Sequence, residues 1–204
     1  MTDNYIRLRA LTLVCSLKPS PAASSSDKIA RDVTVELQKH GITNEIIRAV
    51  DYTIKPGVEI DMGEGDQWPE LRDKMLAADI FIISIPIWVG HMSSVAQRII
   101  ERLDAELSEA DDNGNLLTYG KVAAVLIVGN EDGAHKVTAD ALQALNDLGF
   151  TIPATAASYW NGEAMHKTDY NDLEQIPEKV VITNKSVAAH VAHLARLLKQ
   201  HPYA

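Results

Sequence analysis

Leu11-Thr12-Leu13-Val14-Cys15, then Ser16-Leu17-Lys18-Pro19-Ser20-Pro21-Ala22-Ala23-Ser24-Ser25-Ser26, then an amphipathic segment from Asp27: this stretch decides the fold. The apolar run reads as the end of a strand from Ile6 to Cys15. The hydroxyl- and proline-rich run reads as a loop, stiffened by Pro19 and Pro21. From Asp27 to His40, Ile29, Val33 and Leu37 recur at helical spacing, Ser26 stands where a cap belongs, and Gly41 ends the pattern. Strand, hydroxyl loop and helix start together make an anion cradle. Free N–H groups and the positive end of the helix dipole face one small volume, and serine hydroxyls add neutral donors. A second polar loop, Gly129-Asn130-Glu131-Asp132-Gly133, follows a later apolar run. Together the two loops predict a phosphorylated planar cofactor.

Working outward, Glu45 to Val50 reads as a short second strand, and Tyr52 to Gly65 as glycine-rich and irregular. Pro69 opens a helix with Leu71 and Met75 inward. Ile80 to Pro86 is continuously apolar, as for a strand covered on both faces. Ser94 and Gln97 have capping-box spacing before the stripe Val95, Ile99, Leu103. Ser108 to Gly120 is an acidic loop with a turn at Asn113-Gly114. Val122 to Val128 is another buried strand. Ala134 to Leu148 is helical, with Val137, Ala141 and Leu145 aligned and Gly149 as stop. Thr151 to Ser158 reads as a fifth strand, Tyr159 to Val181 as a long connection, and Thr183 as the cap of a last helix carrying Val187, Val191, Leu194 and Leu198. This alternation predicts an α/β fold with helices on both faces of a five-stranded parallel sheet. A flavodoxin-like three-layer sandwich in the order 2-1-3-4-5 suits it, with ligands beyond the carboxyl ends of the strands.

At 204 residues the chain suits a single domain. A net charge of −9 makes nucleic acid and anionic membrane poor partners, although local donors decide whether a phosphate binds. The single cysteine, Cys15, excludes an internal disulfide, fits a cytoplasmic location, and is assigned to core packing. No apolar run reaches membrane-span length, and Met1-Thr2-Asp3-Asn4 is not a cationic leader. No metal site is expected. His166, Asp169 and Asp172 lack a second supporting cluster, and Asp111-Asp112-Asn113-Gly114-Asn115 lacks the glutamate of a calcium loop.

Three stretches resemble the flavodoxin-fold NAD(P)H-dependent FMN reductase and quinone reductase family. Ser16 to Ser26 is similar to its phosphate loop, Pro86-Ile87-Trp88-Val89-Gly90 to its P-x-[YW]-x-G turn along the flavin ring, and Gly129 to His135 to the loop closing the ring's other side. The resemblance implies FMN as cofactor and NADPH or NADH as reductant. It assigns cofactor contacts to Ser16, Lys18, Ser24, Ser25, Ser26, Pro86, Ile87, Trp88, Val89, Gly90, Gly129, Asn130, Glu131, Gly133 and His135. The backbone N–H groups of Ile87 to Gly90 are expected at the ring's polar edge. Here Ser-Leu-Lys-Pro replaces the family's common Gly-Ser-x-Arg, so Lys18 offers a point charge where an arginine would offer a fork. Asp27 at the helix start competes with a phosphate unless it points away.

The function implied is a flavoenzyme moving electrons from the nicotinamide through flavin to a small-molecule acceptor such as a quinone or free flavin. The flavin carries the chemistry, so no catalytic side chain is expected. A flavodoxin-type electron carrier is the alternative, against which stands the absence of T-x-T-G-x-T from the first loop. A flavin-free binding module is a third. Tyr159-Trp160-Asn161-Gly162 borders the nicotinamide or acceptor, or else plugs a dimer contact. Trp68, Trp88, Tyr159 and Trp160 in predicted connections point to a homodimer. No G-x-S-x-G, Walker A or G-x-G-x-x-G pattern is present.

Overall fold

The computed structural model describes residues 7–163 and 166–203. The expectations for Met1 to Asn4 and for Ile6 lie outside these. The elements are β1 (Leu8–Val14), α1 (Ser25–Lys39), β2 (Ile42–Arg48), α2 (Trp68–Ala77), β3 (Ile80–Trp88), β4 (His91–Met92), α3 (Ser94–Leu103), β5 (Val122–Gly129), α4 (Ala134–Asp147), β6 (Ala157–Asn161) and α5 (Glu178–Gln200). The parallel order is β2-β1-β3-β5-β6. It is the expected flavodoxin-like order, extended by a two-residue strand, β4, that folds back antiparallel on β3 at Ile87 and Trp88.

The sheet is apolar on both faces because helices cover both. On one side Leu11, Leu13, Phe81, Ile83 and Ile85 meet Trp68, Leu71 and Met75 of α2, Ala96, Ile99 and Leu103 of α3, and Val137, Ala141 and Leu145 of α4. On the other, Ala10, Ile80, Ile82, Ala124 and Leu126 meet Ile29, Val33 and Leu37 of α1 and Val187, Val191 and Ala195 of α5. The central strands read as continuous apolar runs for this reason.

Several boundaries differ from the sequence reading, each for a local reason. β2 begins at Ile42, directly after the left-handed turn at Gly41 (φ 71), and ends at Arg48. The α1 cap is Ser24, whose hydroxyl accepts from Asp27 N at 3.3 Å, and the α3 cap is Ser93, which accepts from Ala96 N at 3.1 Å. Each lies in a run of serines, where composition does not choose between neighbours. The fifth parallel strand is Ala157–Asn161. Thr151 makes a single bridge to Val122, so the Tyr159-Trp160 pair lies inside a strand and not in a connection. α5 starts at Glu178, after Pro177, and Thr183 bonds back to the Lys179 carbonyl inside the helix.

The irregular 52–67 segment is held from within. Arg102, fully buried, donates to the carbonyls of Lys55, Glu59 and Ile60 and to the Asp66 carboxylate at 2.8 Å. Asp111 closes its own turn by accepting from Asn113 N and Asn115 N.

Candidate functional site

The carboxyl ends of β1, β3 and β5 meet the amino end of α1. Cys15 N donates to Ser84 O at 2.8 Å, the Ser84 hydroxyl donates to Ser26 O at 2.7 Å, and the Ser93 hydroxyl donates to Cys15 O at 2.7 Å. Three buried residues thus tie the end of β1 to the first turns of α1 and α3. Burial pushes the Cys15 thiol well above its ordinary pKa, which leaves it inert.

The 16–24 loop is preformed. The Ser16 hydroxyl donates to Lys18 O at 3.0 Å, Ser20 N donates to the Asp51 carboxylate at 2.8 Å, and Ala22 N donates to Pro19 O at 3.0 Å. Helix geometry leaves the N–H groups of Ser25 and Ser26 without intrahelical acceptors. The Ser26 hydroxyl is buried and has no partner among the described residues. A buried hydroxyl left unpaired is costly, so an external acceptor fits there. Asp27 is drawn aside by Arg31, whose Nε lies 2.6 Å from its carboxylate, and by Arg48 at 3.7 Å. The carboxylate that would oppose a phosphate therefore has its own cations.

The loops after β3 and β5 lock together. A Cβ on Gly129 would sit 2.8 Å from Ile87 Cβ, and one on Gly133 would sit 2.8 Å from Gly90 Cα. Only glycines allow this approach. The Glu131 carboxylate accepts from Val89 N at 2.9 Å and Gly90 N at 3.1 Å. Two of the four amides expected to face the ring are thus engaged by the chain itself. Val89 has φ 51 and Gly90 φ 73, which brings two successive N–H groups onto one carboxylate.

A cleft of about 300 Å³ lies between these loops, at the lower end of the range for cofactor sites. Of the residues named from the sequence, Ser16, Lys18, Ser24, Ser25, Ser26, Pro86, Ile87, Trp88, Gly129 and Asn130 line it. Val89, Gly90, Glu131, Gly133 and His135 do not. His135 Nε2 lies 3.0 Å from the Tyr159 hydroxyl on the exposed surface.

The sequence reading missed the third wall, Asp169, Tyr170 and Asn171, which lines the same cleft together with Trp160. Asn130 Nδ2 donates to Asp169 Oδ1 at 3.1 Å, Asn171 N to the Ser25 hydroxyl at 3.3 Å, and the buried Tyr170 hydroxyl to Asp32 at 2.7 Å. The Asp169 and Asp172 side chains cap one short 3-10 turn reciprocally. That D-x-x-D spacing is the signal that would have located it. Among the described residues no group of three His, Cys, Asp or Glu side chains gathers for a metal.

Residues 8–165 match the family described as NADPH-dependent FMN reductase. Among curated proteins, the chain is 34% identical to the 8-demethyl-8-aminoriboflavin-5'-phosphate synthase of Streptomyces davaonensis, over 96% of this chain and 80% of that protein. It is 36% identical to the divalent metal cation transporter MntH of Mycobacterium bovis over 94% of this chain, yet spans 29% of that protein's length. No helix among the described residues is long and apolar enough to cross a membrane. Among solved structures, RosB with bound 8-demethyl-8-formylriboflavin-5'-phosphate superposes with a TM-score of 0.87 at 32% identity, covering 96% of this chain and 82% of that one. The chain belongs to the NADPH-dependent FMN reductase family, oxidoreductases that work with FMN and NADPH.

Proposed function

We propose that this protein is an FMN-dependent NADPH oxidoreductase that reduces a small-molecule acceptor. The observation that carries this reading is the convergence of the α1 amino end, with its unpartnered buried Ser26 hydroxyl, and the ends of β3 and β5 on one cleft. The N–H groups of Ser25 and Ser26 and the Ser26 hydroxyl would hold the phosphate, with Lys18 at the rim. The ring would lie between Pro86-Ile87-Trp88 and Gly129-Asn130. Bound FMN supplies the electron transfer between nicotinamide and acceptor. The chain's own part is to bind, orient and shelter. Trp160 and Tyr170 keep that side of the cleft apolar, and the Glu131 bridge fixes the turn beside the ring.

An FMN titration followed by NADPH and NADH oxidation with a quinone tests the reading. Turnover dependent on added FMN supports it. Tight FMN binding with no nicotinamide oxidation would make the protein an electron carrier, and no FMN binding would remove the reading altogether.

The likeness to the aminoriboflavin phosphate synthase favours a second reading, in which FMN is the substrate and its ring is changed. Mass spectrometry of the flavin recovered after incubation separates the two: unaltered FMN leaves it a cofactor. We further propose a homodimer in the cytoplasm. Leu17, Trp88 and Val89 expose apolar surface around the cleft and would meet a second copy. Light scattering decides the subunit count.

A further inference from the structure

Arg48, the last residue of β2, pairs in register with Val14 and so stands beside the start of the 16–24 loop. Its side chain is only 6% exposed. Its Nη1 donates to three loop carbonyls, Ala22 at 2.7 Å, Pro19 at 2.9 Å and Lys18 at 3.3 Å. Its Nη2 reaches toward Asp27 at 3.7 Å. No other side chain bonds this loop at so many points among the described residues.

Two consequences follow from peptide geometry and charge. A trans peptide places its C=O and N–H on opposite sides. Holding the Ala22 oxygen on Arg48 therefore turns the next amide, on cleft-lining Ala23, away from Arg48. The same contacts draw three carbonyl dipoles, which would repel an anion, to the back of the loop. The cation is sheltered from water, so its field is screened less than that of a surface lysine.

We infer that Arg48 is the positioning residue for the cofactor's phosphate: it sets the 18–23 loop from behind and thereby makes the protein prefer FMN over unphosphorylated riboflavin. The inference rests on the reading that the FMN phosphate docks at the α1 amino end. Arg48 need not touch the phosphate. It acts through the Ala23 amide it orients and through the three carbonyls it turns to the back of the loop.

The test measures dissociation constants for FMN and riboflavin by flavin fluorescence in wild type, Arg48→Met and Arg48→Lys, with a thermal melt for each. Wild type should favour FMN. Arg48→Met removes the charge and the three loop bonds, and should cut the FMN-over-riboflavin preference by about tenfold while riboflavin affinity changes by less than about threefold. Arg48→Lys keeps the charge on a shorter, more flexible stem that holds fewer of the three carbonyls, and should cut the preference by about threefold. It carries the test if the methionine variant does not fold. Should both variants keep the wild-type preference, or lose affinity for both flavins in parallel, Arg48 is a structural clamp only and the inference is overturned. Should wild type itself show no preference for FMN, the phosphate reading fails first, which is a different result.

Discussion

Replacing Glu131 offers the most direct view of how the loop after β3 is held. Val89 adopts φ 51, a left-handed conformation that is strained for a β-branched residue, and is 84% exposed. Strain of this kind costs about 1–3 kcal/mol and persists only when surroundings impose it. Packing is not what imposes it here, since Val89 touches so little. The Glu131 carboxylate is, through bonds of 2.9 and 3.1 Å to two successive amides. A sheltered hydrogen bond to a charged group contributes roughly 1.5–3 kcal/mol. Water competes at this exposed loop, so about 1 kcal/mol for each bond, about 2 for the bridge, is the better figure. That matches the strain. Glu131→Ala should therefore release the loop, raising hydrogen exchange at the Val89 and Gly90 amides by about 5- to 30-fold. Glu131→Gln should recover at most half of the effect, because the side-chain amide presents one acceptor and turns its NH₂ toward the other N–H. Exchange followed by NMR or by mass spectrometry on short peptides reads this directly. Wild-type protection of both amides in Glu131→Ala would refute the reasoning, since the bridge would then be idle.

Three further outcomes are expected. Gly133→Ala places a Cβ within 3 Å of the Gly90 backbone at φ 130, and should destabilise the fold by on the order of 3 kcal/mol in chemical denaturation; a loss under about 1 kcal/mol would mean the loops part freely. Ser24→Ala removes the α1 cap and should lower stability by about 1 kcal/mol, with FMN affinity falling alongside because the same turn presents the Ser25 and Ser26 amides; affinity unchanged at reduced stability would detach the anion site from the cap. Burial pulls the Asp66 carboxyl upward, but the amides of Met62, Lys55 and Trp68 and the Arg102 guanidinium outweigh it and bring the value from 3.8 to about 2. The folded value lies below the unfolded one, so this contribution is whole above pH 4 and fades as pH falls toward 2, by about 2 kcal/mol; an Asp66→Asn variant with the same acid profile as wild type would contradict that.

The layer structure was legible because both faces of the central strands are covered, which writes itself as uninterrupted apolar runs at Ile80–Ile85 and Val122–Val128. What misled were positions where composition is degenerate. Within Ser24-Ser25-Ser26, and again at Ser93-Ser94, every residue caps a helix equally well, and only the path of the incoming chain chooses Ser24 and Ser93. Thr151 to Ser158 reads as the fifth strand, yet β5 pairs with Ala157–Asn161. Register there is set by the neighbour, a long-range term that propensity does not contain. The resemblance gives Glu131 as a cofactor contact, and nothing local shows that the Val89 and Gly90 amides would claim its carboxylate.

The cleft's third wall depends on the same helix whose amino end lines the cleft. Residues 169–171 follow the family-matched stretch, which ends at 165, and α1 supplies three of their hydrogen bonds. Tyr170 bonds Asp32, the Tyr170 carbonyl accepts from Lys28 Nζ at 2.9 Å, and Asn171 N donates to the Ser25 hydroxyl. The Lys28 ammonium also lies 5.2 Å from the Tyr170 ring centroid, a further attraction. Ser25 thus serves two surfaces: it lines the cleft at the α1 amino end, and its hydroxyl holds the wall. Ser25, Lys28 and Asp32 lie within about two turns of one helix, so the edge of the cleft and its third wall share one support.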